Sequence, residues 1–141
     1  MNEVRKKMIK IYNMKNMCWM GYKVSKNNPY TFHHIKKASE GGKLEIENGA
    51  ILTKNAHDYL HLIETRDLEL YIYINTILRN INDQGFFSTK HQLLTIESLL
   101  RKFEQKHKFD KNCEGKILIK KEYYKRIYSP KNTSNNLQSP L

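Results

Sequence analysis

Thr31-Phe32-His33-His34-Ile35 is followed by Gly41-Gly42, then Asn48, then His57-Asp58-Tyr59-Leu60-His61, so four of the six histidines fall between residues 33 and 61. This stretch constrains the chain more than any other. Tyr30, Phe32 and His34 alternate with Thr31, His33 and Ile35, the period of a short strand, and Asn27-Asn28-Pro29 marks a turn before it. Neighbouring strand residues point to opposite faces, so His33 and His34 are expected to take different roles, one as ligand and one as base. Lys36 to Lys43 reads as a polar loop in which Gly41-Gly42 permits positive φ. The chain then returns through Leu44 to Leu52, with Ala50-Ile51-Leu52 as a second strand. Thr53 suits the N-cap of a helix from about Lys54 into Glu64, and His57 and His61, four apart, share one face of it. Strand, loop, strand and helix in that order give an α+β unit.

Two adjacent histidines, an asparagine fourteen residues after the second, and a histidine nine residues further on form a spacing pattern. In it the chain resembles the HNH (His-Me finger) endonucleases, and the extra histidine four residues later is most similar to their colicin-type three-histidine DNases. The likeness covers Tyr30 to about Glu64. It implies a ββα-metal unit in which His34 is the general base and His33 the first metal ligand, where other members often carry aspartate. By the same resemblance Asn48 pins the loop and helps orient the base, His57 is the closing ligand, and His61 is the additional one. The implied reaction is hydrolysis of DNA phosphodiester bonds, leaving 3′-hydroxyl and 5′-phosphate ends, with RNA as the alternative substrate. Three imidazoles favour one divalent zinc, nickel or manganese ion over magnesium, which prefers oxygen ligands. The alternative from another class is a non-catalytic nucleic-acid-binding module whose histidines hold a structural metal.

The net charge of +11 is unevenly spread. Residues 1–30 carry +6, residues 31–64 carry −1, residues 65–110 carry +1 and residues 111–141 carry +5. Basic flanks around a near-neutral centre suit phosphate neutralisation, so DNA is the expected partner; a lysine-rich solvated surface gives the same numbers. Cys18 and Cys113 are the two cysteines and no CxxC pair occurs, which excludes a disulfide framework and a zinc ribbon and leaves two reduced thiols. No segment approaches the run of ~20 apolar residues that spans a bilayer. The start, Met1-Asn2-Glu3-Val4-Arg5-Lys6-Lys7, lacks the apolar core of a signal peptide, so a cytoplasmic protein with no membrane partner is expected.

Outside the histidine stretch the reading is coarser. Residues 1–30 show poor periodicity, with Met17, Trp19 and Tyr22 expected to cover one side of the motif. Leu70, Ile74, Ile77 and Ile81 keep helical spacing after Thr65 and Asp67, although Tyr71-Ile72-Tyr73 also suits a strand, and Asp83-Gln84-Gly85 stops the element. Ser88 is expected to cap another helix, striped by Leu93, Ile96, Leu100 and Phe103 and ending near Lys108. Lys116 to Tyr128 fits either a strand around Ile117-Leu118-Ile119 or a short basic helix, and Ser129 to Leu141 has the composition of a disordered tail. The expected organisation is one nuclease domain over residues 1–128, its motif at 30–64 braced by further helices, with a polar tail over 129–141. Asp58, Glu64 and Glu40 are candidates to orient imidazoles or else surface acids. Lys36 and Lys37, with Arg66 or Arg79 if the later helix folds back, are candidates for phosphate contact. His91 and His107 read as surface residues.

Overall fold

The structure, a computed structural model, describes residues 2–12 and 16–107. It is α+β, with a two-stranded antiparallel sheet and four α-helices among the described residues. The chain divides into two compact units, Met1–Ser88 and Thr89–Leu141. The expectations for Lys116 to Tyr128, for the tail and for Cys113 lie outside the described residues.

In the first unit, α1 (Glu3–Ile11) opens where the Asn2 side chain accepts the backbone N–H of Arg5 at 3.1 Å. This helix went unread in the sequence, because fully buried Met8 is its one core anchor among exposed lysines. Strand β1 (Tyr30–His34) pairs with β2 (Gly49–Thr53) so that Phe32 lies opposite Ile51, His33 opposite Ala50 and His34 opposite Gly49. Directly opposed residues share a face. Phe32, His34, Ile51 and Gly49 therefore form one side of the hairpin, and Thr31, His33, Leu52 and Ala50 the other. Gly49 makes room for side chains packed on the hairpin: a Cβ there would come 2.4 Å from the Phe32 ring and 2.8 Å from Met8 Sδ. That contact places α1 on the Phe32 side. Trp19 is fully buried, with its backbone N–H on the Ile51 carbonyl, and Tyr22 is buried too, in keeping with the covering role expected of this segment.

Helix α2 (Lys54–Arg66) begins at Thr53, whose hydroxyl accepts from the Ala56 N–H, while the buried Asn28 side chain accepts from the Asn55 N–H. Two orphan donors of the first turn are thus satisfied. Asp67 then serves both helices it joins: its N–H closes on Ile63 O, and its side chain accepts from Leu70 N–H to start α3 (Leu68–Asp83). The Tyr71-Ile72-Tyr73 run is helical. Its β-propensity yields to the stripe of Tyr71, Ile74, Ile77, Leu78 and Ile81, which is buried. Ala56, Tyr59, Leu60 and Ile63 form the matching buried stripe of α2, and each aliphatic side chain of this size contributes about 1.5–3 kcal/mol on full burial.

In the second unit, α4 (Lys90–His107) buries Leu93, Ile96, Leu100 and Phe103, the stripe read from the sequence. Its cap is Thr89, not Ser88. Thr89 Oγ1 accepts from Gln92 N–H, and Gln92 Oε1 accepts from Thr89 N–H, a capping box. The Ser88 hydroxyl instead donates to the Trp19 carbonyl within the first unit. His107 is half-buried and lies against the Phe103 ring with centroids 4.4 Å apart, which corrects its reading as a surface residue. No helix among the described residues is long and apolar enough to cross a membrane.

Candidate metal centre

β1 and α2 bring His33, His57 and His61 together. One ring nitrogen from each lies within 4.8 Å of the other two, close enough to hold a metal ion. Ring centroids stand 5.1 Å apart for His33 and His57, 5.7 Å for His33 and His61, and 4.8 Å for His57 and His61. The strand turns His33 onto the α2 side of the hairpin, and the four-residue spacing on α2 aligns the other two.

Hydrogen bonds fix the protons on all three rings. The Thr31 hydroxyl has one hydrogen and donates it to Leu52 O at 2.8 Å, so at 3.0 Å from His57 Nδ1 it accepts. His57 therefore carries Nδ1–H and a bare Nε2. The Asn75 amide donates from Nδ2 to Ile35 O at 2.6 Å, which turns its Oδ1 toward His33 Nε2 at 2.8 Å. His33 therefore carries Nε2–H and a bare Nδ1. His61 Nδ1–H donates to the Glu64 carboxylate at 3.2 Å, leaving its own Nε2 bare. Glu64 is held in turn by an ion pair with Lys37.

The bare nitrogens of His33 and His57 face each other at 3.4 Å. Two lone pairs in contact repel, and a cation between them relieves the repulsion. Bonds of about 2.0–2.1 Å meeting at a tetrahedral angle set nitrogens about 3.3–3.4 Å apart, which matches the separation. Burial pushes the His33 imidazole down to about 3 and His57 to about 4, and also lowers His61, with the nearby Lys37 charge adding to the effect. The rings are thus held in the neutral form that binds metal. Among the described residues these three form the one group of histidine, cysteine or acidic side chains able to hold an ion.

His34 is not brought into that cluster. It lies on the opposite face of β1, half-buried, with its ring edge-on to Phe32 at 5.0 Å. A charge on it nevertheless adds to the lowering of His33 and His57, after burial and the neighbouring histidines. Asn48 is buried and locks the loop that follows His34. Its carbonyl accepts from Ile35 N–H at 2.9 Å, its Oδ1 from Lys36 N–H at 2.8 Å, and its Nδ2 donates to Lys36 O and Lys43 O. Gly42 lets the loop close this tightly, because a Cβ there would stand 1.8 Å from Lys36 O.

Of the acids singled out in the sequence, Glu64 reaches an imidazole, while Asp58 pairs with Lys54 at 2.9 Å. Arg79 is engaged at the surface of the fold: it donates to Glu47 O at 2.5 Å and to Asn48 Oδ1 at 3.2 Å, so it braces the loop. Thr31 and Asn75 were missed. Thr31 had a signal, since it sits two residues before His33 on the same strand face. Asn75 had none, because nothing in the spacing ties a residue of α3 to the strand end. Compared with protein-family models, with curated proteins and with solved structures, the chain matches none.

Proposed function

We propose that this chain is a metal-dependent HNH-type endonuclease that hydrolyses phosphodiester bonds in DNA, with β1, β2 and α2 as its ββα-metal unit. One observation carries the reading: His33 and His57 turn bare nitrogens toward each other beside His61, while Asn75, Thr31 and Glu64 hold the outer N–H groups of the three rings. Such outer partners are what metal-bound histidines require. The ion would be held by His33 Nδ1, His57 Nε2 and a ring nitrogen of His61, and neutral imidazoles suit zinc, nickel or manganese better than magnesium. When bound, a divalent ion supplies charge stabilisation for the phosphate and the departing oxygen.

The chain's own residues do the rest. His34 takes the proton of the attacking water on an imidazole nitrogen as the water oxygen bonds to phosphorus and the bond to O3′ breaks. The departing O3′ takes a proton from solvent, so the products are a 3′-hydroxyl and a 5′-phosphate. Asn48 keeps the backbone of Ile35 and Lys36 fixed, which holds His34 at the strand end. Exposed Lys6, Lys7 and Lys10 of α1 contribute to phosphate neutralisation. A purely structural zinc site closes with four protein ligands. Three histidines, with no fourth ligand among the described residues, favour a site that keeps a position open and so favour catalysis over a binding module.

The test is a cleavage panel of purified chain against DNA and RNA with zinc, nickel, manganese and magnesium, run beside His34→Ala. Metal-dependent DNA cleavage that the variant loses while keeping its metal supports the proposal. No product from either nucleic acid with any ion removes it.

A further inference from the structure

Asn75 stands on α3, outside the stretch that carries the histidines, yet its amide touches both ends of the site. Its Oδ1 accepts from His33 Nε2–H at 2.8 Å, and its Nδ2 donates to Ile35 O at 2.6 Å. The two contacts cannot be exchanged, because the Ile35 carbonyl only accepts. His33 is 1 % exposed, so solvent offers its ring no substitute partner.

The alternative proton position matters. With the proton on Nδ1, His33 would donate straight to His57 Nε2, 3.4 Å away, and the two histidines would satisfy each other. That self-paired arrangement consumes both nitrogens that face the centre. We infer that Asn75 is a positioning residue that fixes His33 in its Nε2–H tautomer and so prevents the site from closing on itself. The same amide ties this ring to the carbonyl of Ile35, the residue after His34. Arg79 and Asn82, four and seven residues further along α3, hold the Asn48 turn from the same helix.

The consequence for metal rests on the three-histidine reading proposed above, so the two are tested separately. The first readout uses the full chain, metal-free and 15N-labelled, with NMR spectra that show which ring nitrogen of each histidine bears hydrogen. Wild-type His33 is expected as Nε2–H. Asn75→Asp, which keeps an acceptor oxygen, is expected to preserve it, and Asn75→Leu to move the proton to Nδ1. A wild-type His33 protonated on Nδ1, an Asn75→Asp variant that loses Nε2–H, or an Asn75→Leu variant that keeps it overturns the inference. If Asn75→Leu does not fold, the wild-type and Asn75→Asp spectra still decide.

The second readout is zinc affinity by chelator competition, expected to fall about 10–100-fold in Asn75→Leu and to recover in Asn75→Asp. A moved proton with unchanged zinc affinity upholds the role of Asn75 and counts against His33 as a ligand.

Discussion

Helix α2 presents His57 and His61 to the centre, whereas α3 presents no ligand and instead sends Asn75, Arg79 and Asn82 to the backbone at the ends of the hairpin. The two helices are joined through a single shared residue, Asp67, and both bury an aliphatic stripe. They differ in what their polar side chains bond. On α2 these side chains supply nitrogens that a cation would use. On α3 they donate to carbonyls of Ile35, Ile46, Glu47 and Gly49, where strand and turn meet. On the proposed function, α2 carries ligands and α3 carries the contacts that hold the backbone in place. A substitution on α2 should remove a function, and one on α3 should loosen it.

The largest effect expected is that of His57→Ala. Metal binding in small zinc sites amounts to about 10–16 kcal/mol, so losing one ligand of three should cost on the order of 3–5 kcal/mol, or about 10²–10⁴ in affinity. Chelator competition would measure it, and cleavage should vanish with the metal. Retention of wild-type zinc affinity by His57→Ala would remove α2 from the metal site and dissolve the contrast between the helices.

Next comes His34→Ala, which separates base from ligand within β1. A general base contributes about 10²–10⁴ in rate. Cleavage at saturating DNA should fall by that factor, while zinc content and melting temperature stay near wild type, because His34 lies on the face away from the cluster. Zinc lost from this variant in proportion to activity would make His34 a ligand rather than the base.

How much of this was readable beforehand follows the same division. Strand alternation separated His33 from His34, and a four-residue helical spacing put His57 and His61 on one face, because both are local rules; the joining of His33 to that pair and the loop-holding role of Asn48 were legible only through the family resemblance. Glu64 was within reach as the acid three residues after His61. Asn75, Arg79 and Asn82 were not. Their spacing describes a polar helix face, which in a sequence looks the same whether it meets solvent or a row of backbone carbonyls. Only the fold of α3 against the turn before β2 distinguishes the two. α1 escaped notice for a related reason: a lysine-rich helix anchored by Met8 has too little apolar pattern to register, although Asn2, Glu3 and Lys10 suit its ends.

Asn48→Ala tests where the geometric half begins. The change strips the side-chain bonds to Lys36 N–H, Lys36 O, Lys43 O and Arg79 and leaves partly buried groups without those partners, at a cost of roughly 2–3 kcal/mol. Thermal or urea unfolding would show it, and hydrogen exchange at the Lys36 amide should accelerate more than at amides of α2. Zinc affinity should change less than in His57→Ala. A variant as stable as wild type would mean that the loop is held by its backbone and by Arg79 and Asn82 without the Asn48 side chain.

The smallest effect separates the members of the α3 face. Asn82 Nδ2 donates to Ile46 O at 2.7 Å and Gly49 O at 2.8 Å, and Arg79 reaches Glu47 O and Asn48 Oδ1 in the same turn. Asn82→Ala alone should cost about 1 kcal/mol, because the arginine still secures the turn. Arg79→Ala should cost somewhat more, since its bonds involve a charged donor. Both residues act on one four-residue turn, so their losses should not add. Once either is gone the turn is held at fewer points and the other grips it less firmly, so the second loss costs a different amount from the first. A double-mutant cycle by urea unfolding should give a coupling of about 0.5 kcal/mol or more. Strict additivity would show two independent side chains, and α3 would then have no cooperative face to set against the histidine face of α2.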